Sequence, residues 1–268
     1  MGCTFDSSFS IGIGDLCLIK AQLDAQKHHY ERIRISPSWG LLRYRSEQYR
    51  TFVDQFFRLL FDGQHPYVID YAANLPQHDV HTLRACDFPA QHPRLASLLC
   101  AGKSPPLPRP YLVLQTKVRD FSQERWHASK GPILEALRGL GDRYDLVLLG
   151  ERIVEPNEEY AYHGEQLIYS IYPDLQQLPV LDRTFERLGV TPPDLQKLRQ
   201  DCEVMRSAKC CVTIGLGGAL CLALSVGRVL GLRGDVHPTL DILYRDATQP
   251  GVVLTHDTGM FLQRLRQL

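Results

Sequence analysis

Residues 210–232, CCVTIGLGGALCLALSVGRVLGL, form the longest apolar stretch of the chain, and few folds can accommodate it. Five glycines and Arg228 interrupt it, so it leaves no unbroken run of the roughly 20 apolar residues that a bilayer crossing needs. The opening, 210–214, reads as a strand buried on both faces. A glycine turn follows, then a helix over 219–226 and a second strand over 229–232. Parallel strands need such a crossover, and a helix usually supplies it.

The rest of the chain repeats the alternation. Apolar residues at three- and four-residue steps predict helices over 46–61, 131–140 and 194–208. Short apolar runs predict strands at Ile33 and Ile35, over 66–71, over 111–116 and over 144–150. Residues 74–93, rich in Pro, His and Asp, read as loop. The segment AGKSPPLPRP, 101–110, holds four prolines in ten residues and makes a stiff, non-helical connector. The expected architecture is therefore α/β with parallel sheets, as two Rossmann-like domains over 1–105 and 106–268 facing a cleft.

Composition narrows the functional classes. The 268 residues are 44% hydrophobic and 22% charged, and 30 Lys and Arg balance 30 Asp and Glu. That balance gives no electrostatic case for nucleic acid as the main partner. None of the eight cysteines forms a CxxC pair, so buried reduced thiols are expected rather than zinc. With no signal-peptide pattern or membrane segment, a cytoplasmic protein is expected.

Two glycine-rich turns invite chemistry. In IGIGDLCL, 11–18, Gly12 and Gly14 allow a tight turn, and Asp15 stands where a strand hands over to an apolar helix, a preferred capping position. In the 212–227 stretch, a strand, a glycine turn and a helix are the arrangement that presents backbone N–H groups to a diphosphate. Gly217 and Gly218 would let the backbone approach it; equally, they would allow only tight strand–helix packing. Trp126 is expected to pack rather than stack on a sugar. His28 and His29 suit a helix carboxyl end, the cluster 157–160 reads as a solvated helix start, and His163 lies one turn beyond.

These segments together resemble the ADP-heptose:lipopolysaccharide heptosyltransferases and related glycosyltransferases. IGIGDLCLIKAQL is similar to that family's opening strand, Gly-Asp turn and apolar helix. LVLQTKVRDFSQERW followed by YDLVLLGER resembles its strand, basic residue, tryptophan and strand-Leu-Gly pattern. DLQKLRQDCEVMRSAKCCVTIGLGGALCLALSVGRVLGL is similar to its late helix, strand and small-residue turn. The resemblance implies a GT-B fold, with the acceptor on the first domain and a nucleotide-sugar donor on the second.

It also implies roles. Asp15 matches the family's acidic residue that deprotonates the acceptor hydroxyl. Gly217 and Gly218, aided by Lys117 or Arg119, would stabilise the leaving diphosphate. Glu151 or Glu158 would hold the donor ribose. The implied reaction is inverting and metal-independent, without a cofactor; the donor is a substrate and the acceptor a glycan, a lipid-linked glycan or a protein. The family's late signature carries Asp-Thr-Gly and then His, where this chain has Leu216-Gly217-Gly218 and Cys221. Another GT-B enzyme, such as a nucleotide-sugar epimerase or hydrolase, and a non-catalytic nucleotide-sugar binding protein therefore stay open.

Overall fold

The computed structural model describes residues 4–9, 13–14, 16–17, 20, 32–37, 47–61, 67–69, 93–100, 107–119, 121–154, 161–162, 165–166, 168–185, 194–215, 218–234 and 246–268. Strands β1 (Thr4–Phe9), β2 (Arg32–Pro37) and β3 (Tyr67–Ile69) make a parallel sheet in that order. Between β1 and β2, Ile13, Gly14, Leu16, Cys17 and Lys20 are helical. Gly14, expected in the turn, is buried within the helix instead. Helical pairing satisfies the backbone of a residue shut away from water, which an open turn would not. Asp15 and Gly12 lie outside the described residues.

Helix α1 (Glu47–Phe61) buries Phe52, Val53, Phe56, Phe57, Leu60 and Phe61 along one face. The Phe57 and Phe61 rings lie 4.7 Å apart. Lys20, only 1% exposed, holds its ammonium 5.8 Å from the Phe61 ring centre, a cation over a π face. Helix α2 (Pro93–Leu99) follows, and the expected loop over 74–93 falls almost wholly outside the described residues.

The remaining chain builds a seven-stranded sheet. Its strands are β4 (Tyr111–Gln115), β6 (Asp145–Leu149), β10 (Val180–Asp182), β11 (Cys210–Ile214), β12 (Val229–Leu232), β13 (Ala247–Gln249) and β14 (Val252–Thr255). They lie in the order β10-β6-β4-β11-β12-β14-β13, parallel throughout except for β13. Counted from β4, the parallel strands run 3-2-1-4-5-6, the doubly wound Rossmann order. Two small pairings accompany the sheet: β5 (Lys117–Arg119) with β9 (Ile168–Ser170), and β7 (Ala161–Tyr162) with β8 (Glu165–Gln166), both antiparallel.

Alternate strand residues feed two cores, as the period of two requires. Leu112, Leu114, Val212 and Leu230 pack with helices α3 (Gln123–Leu140) and α7 (Thr258–Arg266) on one face. Tyr111, Val113, Cys211 and Val229 pack on the other, with α5 (Leu195–Ser207) and α6 (Gly218–Val226). Leu95, Leu99, Phe56 and Phe57 belong to that second core as well. Helices from before the proline-rich segment thus share an interior with the sheet that comes after it. The short helix α4 (Tyr172–Leu175) leads into β10.

Helix α3 begins eight residues before the glycine at which periodicity places its start. Ser122 caps it, accepting from Arg125 N at 3.1 Å. Pro132 inside the helix costs about 3 kcal/mol. Burial of Trp126, Ile133, Leu134 and Leu137 offsets this at about 1.5–3 kcal/mol per large side chain. Trp126 packs as expected: it is 2% exposed, and its indole donates to Asp174 Oδ2 at 2.7 Å. Cys17, Cys100, Cys202, Cys210, Cys211 and Cys221 are free thiols, all buried. Strands β13 and β14 and helix α7 arise from a stretch to which periodicity assigns no element.

Candidate functional site at the carboxyl edge of the large sheet

In an open doubly wound sheet the strand order reverses between the first and fourth strands, and a crevice opens at their carboxyl ends. Here those strands are β4 and β11. The residues just beyond the strand ends define the site: Thr116, Lys117 and Arg119 past β4; Gly150 and Glu151 past β6; Gly215 and Gly218 past β11.

Two glycines shape this edge. Gly215 has φ +74°, and a Cβ on it would stand 2.1 Å from the Arg119 carbonyl oxygen. Arg119 and Gly215 are bridged in parallel, so β5 passes directly across the end of β11. Gly150 has φ +105°, and a Cβ there would stand 2.7 Å from Thr116 Oγ1. Both the left-handed backbone and the lack of room exclude other residues.

The loop after β6 is tied down by its backbone. The Thr116 hydroxyl lies 2.8 Å from Glu151 O and 3.1 Å from Leu149 O, and Ser170 Oγ donates to Glu151 O at 2.9 Å. The Glu151 side chain is 12% exposed and meets Lys117 Nζ at 3.3 Å. Lys117, one of two cations expected at the phosphates, and Glu151, one of two carboxylates expected at the ribose, are therefore each other's partners. Arg119 sits half-buried beside them.

Gly218 opens α6 at the same edge. The first N–H groups of a helix have no intrahelical acceptor, and the macrodipole places partial positive charge there. Gly217 and Glu158 lie outside the described residues, as do His28, His29, His163 and the cluster 157–160. Cys221, in the place of the family's histidine, is fully buried in α6 and belongs to the core. Its carbonyl accepts from Ser225 Oγ at 2.7 Å. A side chain so placed packs under the sheet rather than reaching its edge.

Periodicity and spacing miss one cluster at this end of the sheet. Beyond β12, Arg233 Nε meets Asp246 Oδ1 at 2.6 Å, and beyond β14 His256 Nδ1 meets Asp246 Oδ2 at 2.6 Å. Arg125, from the first turn of α3, donates to the His256 carbonyl. Arg233 is 8% exposed, and a buried guanidinium calls for such a partner. The one signal in the sequence is an arginine ending an apolar strand. Among the described residues no three His, Cys, Asp or Glu side chains gather to hold a metal. No described helix is long and apolar enough to cross a membrane.

No family model matches the sequence, and no curated protein does. Solved structures do. The iron-containing dodecameric glycosyltransferase TibC from enterotoxigenic E. coli is 14% identical, with a TM-score of 0.48, over 96% of this chain and 66% of that one. TibC in complex with ADP-D-beta-D-heptose is 15% identical with the same score, over 94% of this chain and 62% of that one. The E. coli ADP-heptose LPS heptosyltransferase II is 17% identical, with a TM-score of 0.38, over 95% and 80%. The chain thus spans less than two thirds of the length of the TibC chains.

Proposed function

We propose that the protein transfers a sugar from a nucleotide-diphosphate donor to a hydroxyl acceptor. In this reading 1–105 and 106–268 are two Rossmann-like domains facing a cleft, and the donor lies at the carboxyl edge of the large sheet. The observation that carries it is the position of Gly215 at the end of β11 and of Gly218 at the start of α6, beside the strand-order reversal, where a helix start would offer backbone N–H groups to an anion. The sequence resemblance supplies the rest of the assignment.

The chemistry proceeds in one displacement. The acceptor oxygen forms a bond to the anomeric carbon, and Asp15 takes its proton. The bond from that carbon to the diphosphate oxygen breaks, and the nucleoside diphosphate leaves with the electron pair. Attack opposite the leaving group inverts the centre. Gly217 and Gly218 receive the developing charge, with Arg119 and Lys117 beside them. Glu151 holds Lys117 in place, and Glu151 or Glu158 holds the donor ribose. The acceptor is a glycan, a lipid-linked glycan or a protein.

A second reading has one observation in its favour. The buried Cys221 supplies no side chain to the edge, and a protein that binds the nucleotide sugar without turning it over needs none. Thermal shift against ADP, GDP, UDP, CDP and dTDP tests the shared part. A ligand at 100 times its dissociation constant stabilises the fold by about 2.7 kcal/mol. A selective shift supports both readings, and no shift overturns both. Turnover by the wild type that Asp15→Asn abolishes, with the shift retained, then selects transfer over binding alone.

A further inference from the structure

Thr116 stands where the chain leaves the large sheet, between the end of β4 at Gln115 and the start of β5 at Lys117. It is fully buried, and each of its polar groups is committed. Its N–H donates to Leu149 O at 3.0 Å, and its carbonyl accepts from Ile171 N at 2.8 Å. One residue therefore ties the end of β4 to the end of β6 and to the residue that follows β9. Its hydroxyl has a single proton to give. Leu149 O, at 3.1 Å, already takes the Thr116 N–H, so the hydroxyl proton serves Glu151 O at 2.8 Å.

Ser170 reaches the same carbonyl from β9. It stands opposite Lys117 in the β5–β9 ladder. It donates to Glu151 O at 2.9 Å and accepts from Tyr172 N at 3.2 Å. Two hydroxyls thus fill both lone pairs of one loop carbonyl. Gly150 makes room for them, since a Cβ there would stand 2.7 Å from the Thr116 hydroxyl oxygen.

We infer that Thr116 and Ser170 are positioning residues for the donor. Lys117 follows Thr116 in the chain and faces Ser170 across the ladder. Its carboxylate partner Glu151, 3.3 Å from the ammonium, belongs to the residue whose carbonyl both hydroxyls hold. The same two side chains therefore set both members of the pair, and through it the point at which the Lys117 ammonium meets the donor phosphates. A charged group so aimed loses its effect when its support lets it drift. The inference rests on the nucleotide-sugar reading above and adds to it two hydroxyls that act only through Lys117.

A double-mutant cycle tests it, read by calorimetric titration of the full chain with ADP, GDP, UDP, CDP and dTDP. For the diphosphate that the wild type binds, Thr116→Val and Ser170→Ala should each weaken binding about three- to tenfold, and Thr116→Ser should recover most of the loss. Lys117→Met should weaken it about tenfold. Adding Thr116→Val to Lys117→Met should weaken it no further, because the cation that the hydroxyl positions is gone. A hydroxyl that served only the fold would act alike in both backgrounds, and its effect would multiply with that of Lys117→Met. Ser170 is only half-buried, so Ser170→Ala, alone and with Lys117→Met, carries the same cycle if Thr116→Val does not fold. Wild-type affinity in the hydroxyl variants, or effects that multiply with Lys117→Met, would overturn the inference and leave the donor reading standing. Failure of the wild type to bind any of the five would overturn both.

Discussion

Lys117 and Glu151 are joined at 3.3 Å across the carboxyl edge of the large sheet, one from the strand after β4 and the other from the loop after β6. The pair gives the edge a fixed cation whose position is set by a carboxylate that is itself mostly buried. Lys117 is 38% exposed, so solvent screens it. Removing it should therefore alter binding more than folding.

Lys117→Met is expected to change unfolding stability by less than about 1 kcal/mol. Its affinity for whichever nucleoside diphosphate the wild type selects should fall about tenfold or more. Chemical denaturation and calorimetry on the same preparation separate the two effects. A large stability loss with unchanged affinity would make the pair a structural clasp only.

Gly215→Ala should be among the most damaging small substitutions in the chain. The left-handed backbone costs about 1–3 kcal/mol, and the displacement forced on Arg119 costs about 1–3 kcal/mol more. Gly139→Ala serves as the control, because nothing lies within 4 Å of its added Cβ and the helix gains about 0.5–1 kcal/mol. Melting temperatures should move in opposite directions, down for Gly215→Ala and up for Gly139→Ala.

Asp174 gives a prediction in pH. Burial pushes its carboxyl up, but hydrogen bonds from Trp126 and Lys130 outweigh that and hold it below the usual carboxylate range. A carboxyl depressed on folding stabilises the protein above its unfolded value of about 3.9, and that contribution is lost as pH falls through the lower folded value. Asp174→Asn should cost about 1 kcal/mol at neutral pH and flatten the acid limb of the stability profile. Far-UV circular dichroism during urea unfolding at several pH values measures both. Equal slopes in the acid limb for wild type and variant would remove Asp174 from the account.

The thiols offer a test of the core. Burial raises the Cys202 and Cys211 thiols well above their ordinary value, and the thiolate is the reactive form. A thiol reagent added at neutral pH should leave both unmodified in the native protein and label both in denaturant, as peptide mass spectrometry would show. Rapid native labelling of either would mean that the interior opens far more readily than its packing implies.

Most of the large sheet is legible in the sequence because its strands are buried on both faces. YLVLQ and CCVTI are near-continuous apolar runs, and a parallel strand covered by helices produces that pattern. Helix α3 reads short because Gly131-Pro132 imitates a helix start, and only the tertiary burial of Trp126 shows otherwise. The carboxyl edge is legible residue by residue but not as pairs. Lys117 and Glu151 are 34 positions apart, and their meeting depends on β4 and β6 being neighbours in register. Gly215 and Gly150 do not stand out as single glycines, because what they avoid is another segment's backbone or hydroxyl. Asp246 and His256 sit on opposite sides of the β13–β14 hairpin, beyond the reach of any local pattern.

Helices α1 and α2 precede the proline-rich segment, yet they complete the same interior as Val113, Cys211 and Leu220. A chain cut between 101 and 110 would therefore not yield two self-sufficient halves. Each fragment would carry an open apolar face that the other was shaped to cover, and each would be expected to aggregate when expressed alone. Mixing the two during refolding would restore what the covalent link normally guarantees.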